Sequence, residues 1–126
     1  MNQWVFVVSV AAALLLFGSG CQDDAKCERE RLDVNKAWSE LRTAATHRKL
    51  VGNNVSIWSE IENRAELLES SFETRQVTWN SAEKASKEIE SKLPALESSG
   101  DVSLASFRAS AESAIKQQDS FEKSCR

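Results

Sequence analysis

Apolar positions recur along this chain at steps of three and four residues, the spacing that lines one face of an α-helix. The first such seam is Val34, Trp38, Leu41 and Ala45, with Ala37 and Ala44 beside it. It predicts a helix from about Cys27 to Leu50, ended at Gly52-Asn53-Asn54, residue types that tolerate the left-handed conformation of helix termini. The second seam runs Trp58, Ile61, Ala65, Leu68, Phe72, Arg75, Trp79, Ala82, Ser86, Ile89 and Leu93, with polar residues only at Arg75 and Ser86. A seam sustained over about five heptads predicts a continuous coiled-coil-like helix of about 40 residues, roughly 60 Å long. Pro94 and Ser98-Ser99-Gly100 then act as the stop. The third seam, Leu104, Phe107, Ala111, Ala114, Gln118, Phe121 and Cys125, belongs to a last helix with Asp101 as its N-cap.

These elements predict an all-α fold, an antiparallel bundle of three helices around a long central heptad helix. The alternative is a four-helix up-down bundle. It requires a break near Ser70-Ser71, where Ser70 and Glu73 have capping-box spacing. The uninterrupted seam, with no Gly or Pro between Asn54 and Pro94, favours the long helix. Trp38, Trp58 and Trp79 are large for a narrow seam and are read as core, with their indole N–H groups toward the domain edge. Arg75 is read first as a snorkelling side chain or an ion-pair partner for another helix. Arg75, Trp58 and Trp79 are also the candidate partner-binding positions, should the seam stay open where the flanking helices run out.

Ahead of the first helix lies an apolar stretch, Trp4–Phe17, interrupted only by Ser9, with no charged side chain before Asp23. It is too short to cross a bilayer and has the length of a signal-peptide hydrophobic region. Gly18-Ser19-Gly20-Cys21 follows, and it resembles the lipobox of bacterial lipoprotein precursors. That resemblance covers residues 1–21 only. It implies removal of a signal peptide at 1–20 and attachment of fatty acyl chains such as palmitate at Cys21, which would anchor the protein in a membrane. Residues 21–26 would form the lipidated cysteine and a polar spacer, and 27–126 a single helical domain. Gln22 is not the aspartate that retains such proteins at the inner membrane, so the outer membrane is the expected location, facing the periplasm or the surface. Gly18 stands where the lipobox has a branched aliphatic residue, and Met1-Asn2-Gln3 carries no Lys or Arg. A plain secretory signal, giving a soluble secreted or periplasmic protein, and an uncleaved anchor are the other two readings.

The chain has 3 cysteines. With Cys21 assigned to lipid, Cys27 and Cys125 remain as an even pair for an oxidising compartment. Both fall on core-facing seam positions, which predicts a disulfide between them. The 16 Lys and Arg against 19 Asp and Glu are interspersed, which provides no basic face for nucleic acid. The single histidine, His47, stands among solvated helical positions without companions at metal-ligand spacing, and no nucleophile, phosphate-loop or dinucleotide motif occurs. No enzyme and no cofactor is therefore expected. The expected work is protein–protein contact in the cell envelope by an adaptor or assembly factor. A pilotin-like secretion accessory, an envelope inhibitor or exclusion lipoprotein, and a homo-oligomeric spacer are the alternatives.

Overall fold

The computed structural model describes the backbone of residues 2–52, 54–97 and 104–126, and side chains from Asp24 onward except at position 97. The side chains of the lipobox-like segment, Cys21 among them, and the N-cap read at Asp101 lie outside what is described. The described chain is all-helical, with α1 (Asn2–Val51), α2 (Val55–Glu73), α3 (Trp79–Glu97) and α4 (Leu104–Cys125). Each helix packs on its neighbours in chain order, and α4 closes on α1. Cross-helix partners run in opposite directions at every junction. Arg31 meets Phe72 while Lys49 meets Glu62; Glu60 meets Lys92 while Arg64 meets Glu88; Cys27 meets Cys125 while Trp38 meets Gln118. This is an up-down-up-down bundle.

The long central helix is therefore not formed. It is interrupted at residues 74–78, four positions beyond the break of the four-helix alternative. Arg75 ends α2 in the left-handed region at φ 63°, a conformation that costs a non-glycine residue on the order of 1 kcal/mol. Two features offset that cost. The guanidinium of Arg31, only 8% exposed, donates to the backbone carbonyls of Phe72 and Glu73, groups that a helix C-terminus leaves without intrahelical partners. Arg75 itself reaches back to Glu28 at 2.6 Å. Thr74, Val77 and Thr78 are β-branched and favour helix weakly, so the segment bends there at little local cost. Folding back lets Trp58–Phe72 and Ala82–Leu93 bury their apolar faces in one core instead of extending beyond the flanking helices.

Pro94 does not stop α3 either. The helix runs on to Glu97 with Pro94 exposed, and the added turn buries Leu96. The predicted seams otherwise form the core. Val34, Trp38, Leu41 and Ala45 of α1, Trp58 through Phe72 of α2, and Leu104 through Phe121 of α4 are all buried. Gln118, 1% exposed, earns its place among them by hydrogen bonding: Trp38 Nε1 donates to its Oε1 at 3.0 Å, and its Nε2 donates to Ser86 Oγ at 3.4 Å. The Trp38 indole N–H therefore points into the core and not to the domain edge. No buried polar side-chain atom among the described residues lacks a partner.

Candidate functional site

The two poles of the bundle differ in chemistry. At one pole α1 enters, α2 turns into α3, and α4 ends. Cys27 and Cys125, both half-buried, are joined there with a Cα–Cα distance of 5.8 Å. Behind them Phe72, Trp79 and Phe121 pack ring against ring, with centroids 5.5–6.1 Å apart. At the same pole Glu28 stands between two guanidiniums, accepting from Arg31 Nη2 at 2.5 Å and from Arg75 Nη2 at 2.6 Å. The Arg31 hydrogen bond, aided by the charge of Arg75, holds the Glu28 carboxyl below the usual carboxylate range. Arg126 stands between Glu83 and Glu122 on the α3–α4 side of the same pole. Sharing a hydrogen bond with Glu83, together with burial, pushes Glu122 upward, and Arg126 opposes that shift.

The opposite pole carries the α1–α2 turn. Leu50, Val51 and Val55 are exposed there by 75%, 67% and 53%. Asn54 takes φ 61°, and the Gly52 N–H bonds the Arg48 carbonyl at 2.9 Å. His47 is exposed just before this turn.

Of the positions singled out from sequence, Trp58 belongs to the core. It is 3% exposed and meets Phe107 edge-to-face at 4.8 Å, with the Arg48 guanidinium 6.0 Å from its ring centre. Trp79 is half-buried in the aromatic plug. Arg75 leaves the seam altogether; its side chain is 69% exposed and its partner is a carboxylate of another helix. These three residues do not converge on one surface patch, since Trp58 lies toward the distal pole and the other two at the pole of the disulfide.

A long concavity lies elsewhere, between α1 and α4. Two clefts of about 480 and 420 Å³ share Ala37, Glu40 and Gln117 and so form one groove. It spans Glu30 to Arg48 along α1, about 27 Å at the helical rise. Its α1 wall offers Ala37 and Ala44 among the charged Glu30, Asp33, Lys36, Glu40 and Arg48. Its α4 wall is Ser106, Ser110, Ser113, Gln117 and Ser120, all exposed. Ion pairs cross the other valleys, Arg42–Glu69 at 2.5 Å and Lys49–Glu62 at 2.7 Å over α1–α2, Lys92–Glu60 at 2.8 Å over α2–α3, and Arg126–Glu83 at 3.6 Å over one end of α3–α4, where a separate cleft of about 630 Å³ opens beside Leu93, Pro94 and Ile115. Alanines and serines cannot make such bridges, and among the described residues no ion pair crosses the α1–α4 valley. Sequence reading missed this groove because it followed the core seam alone. The signal was a second seam at the same 3–4 spacing on α4, occupied by serines.

Among the described residues no cluster of three or more His, Cys, Asp or Glu is arranged to hold a metal, and no helix is long and apolar enough to cross a membrane. No protein-family model, curated protein or solved structure matches this chain.

Proposed function

We propose that this protein is an envelope lipoprotein, tethered through Cys21 to the outer membrane, whose helical bundle works by protein–protein contact as an adaptor or assembly factor. The observation that carries this reading is the polarity of the bundle. The segment bearing Cys21 leads into the pole where Cys27 and Cys125 tie both ends of the domain together. A tether at that pole leaves the exposed aliphatic pole farthest from the anchor and the α1–α4 groove running along the side of the bundle toward it. A cysteine pair in bonding geometry suits the oxidising compartment that a lipoprotein signal implies.

Replacing Cys21 by Ala tests the tether. The Cys21→Ala protein is expected to leave the membrane fraction or to accumulate as unprocessed precursor, and to lose labelling by a fatty-acid analogue. Membrane partition and lipid labelling equal to wild type would remove the lipoprotein reading. Photo-crosslinking from exposed positions, with mass spectrometry of the products, tests the protein-contact reading; a protein that crosslinks to nothing at any position defeats it.

A further inference from the structure

We propose that the α1–α4 groove is the docking site for an amphipathic α-helix of a partner protein, one with small or aliphatic residues on its inward face and two basic side chains seven residues apart. This site deepens the adaptor reading above and rests on it.

The groove has the dimensions of such an occupant. Its length of about 27 Å corresponds to about five turns of helix. Val34, Leu41 and Phe107 lie at its base, so an entering aliphatic side chain meets core residues and leaves water. Ala37 and Ala44 on one wall and serines on the other keep both walls low, which allows a third helix to approach closely. Helix-in-groove recognition draws its affinity from such a face.

Charge selects among amphipathic helices. The α4 wall contributes no charged side chain along the groove, so its field is set by α1, where Glu30, Asp33 and Glu40 stand with Lys36 and, at the far end, Arg48. Glu30 is partly engaged, 3.8 Å from Lys26. Asp33 and Glu40 are exposed, and neither makes an ion pair or hydrogen bond among the described residues, although most carboxylates in the other valleys do. Lys36, one turn from both, pairs with neither. Asp33 and Glu40 are two helical turns apart on one stripe, about 10 Å. An occupant packed along α1 meets both when its own Lys or Arg residues repeat at that interval. An acidic side chain placed opposite Asp33 or Glu40 would meet a like charge there.

The test uses the full-length protein in its own cells, with benzoylphenylalanine placed at Ser110 or Ser113 inside the groove, or at Lys84 on the outer face of α3 as a comparison. Irradiation is expected to yield one partner from the groove positions only, and sequencing of the crosslinked peptide is expected to find a helical segment with basic residues seven apart. Combining the probe with Asp33→Lys and Glu40→Lys should lower the crosslink yield by at least about tenfold, the result of losing roughly 1.4 kcal/mol. The thermal midpoint and the thiol titre of that variant should stay at parent values, which separates lost docking from lost fold. Crosslinks from Lys84 but not from the groove overturn the groove and leave the adaptor reading standing. Crosslinks from no position overturn both. A groove crosslink to a second copy of this chain, or to a segment without the basic pair, overturns the proposed occupant.

Discussion

Arg75 is the residue on which the topology turns. In the seam pattern it occupies a heptad position between Phe72 and Trp79, and in the structure it ends α2 at φ 63° with its side chain in solvent. Its ion pair with Glu28 is exposed and adds little to stability. The backbone conformation matters more, and two substitutions isolate it. Arg75→Ala and Arg75→Gly lose the same ion pair, but glycine enters the left-handed region freely and alanine does not. Arg75→Gly is therefore expected to be the more stable of the two by about 1 kcal/mol in urea titrations. A continuous central helix predicts the opposite order by a similar amount, because glycine in a helix interior costs about 1 kcal/mol relative to alanine. The sign of the difference decides between the two folds.

At the scale of the element, the helices were legible in the sequence and one of their joints was not. Seam residues such as Val34, Leu68 and Phe107 declared their faces because burial imposes a 3.6-residue period. The break at 74–78 stayed hidden because Phe72 and Trp79, on either side of it, are one heptad apart, so the turn preserves the phase of the seam. The polar residue at 75 and the β-branched Thr74, Val77 and Thr78 were the only local marks. Pro94 misled in the other direction, since burial of Leu96 carries α3 past the backbone hydrogen bond that proline cannot donate. The groove was illegible for a different reason: small polar residues signal nothing until the valley they fail to fill is seen. The valley between α1 and α2 is, by contrast, closed by charge. Glu62 accepts from Lys49 at 2.7 Å and from the Thr46 hydroxyl, and these hydrogen bonds, Lys49 first, hold its carboxyl below the ordinary glutamate value. A depressed folded-state pKa stabilises the fold above the unfolded-state value and loses that contribution as pH falls through the folded one. Glu62→Gln is thus expected to unfold at lower urea than the parent at neutral pH, with the gap closing once the pH drops below the glutamate range. A gap that persists unchanged in acid would show that Glu62 acts through packing and not through its charge.

At the scale of the whole molecule, an even number of antiparallel helices brings the first and last residues of the domain to one pole, which a three-helix chain of equal lengths does not do. The Cys27–Cys125 bridge follows from that parity, and it closes a loop of 98 residues of sequence separation. The chain-entropy treatment values such a long closure at about 4 to 5 kcal/mol, a large share of the 5 to 15 kcal/mol that keeps a domain folded. The bridge also acts locally, because it pins the start of the bundle and the last turn of α4 onto the plug of Phe72, Trp79 and Phe121. Cys27→Ser is accordingly expected to lower the thermal midpoint and to expose one free thiol at Cys125. Titration of the wild-type protein isolated without reductant should find neither Cys27 nor Cys125 reduced; two free thiols there would sink the bridge. Hydrogen exchange should then resolve where the loss falls. The segments 24–31 and 118–126 are expected to lose protection first, while the α1–α2 junction near Ile61 and Ala45, tied by Lys49 and Glu62, keeps its own. Uniform loss along all the helices would mean that the bridge acts on the unfolded chain alone. Loss confined to the pole of the disulfide would mean that it also pins the two ends of the domain together, so that Cys27→Ser would disturb the α1–α4 groove only at its Glu30 and Ser120 end.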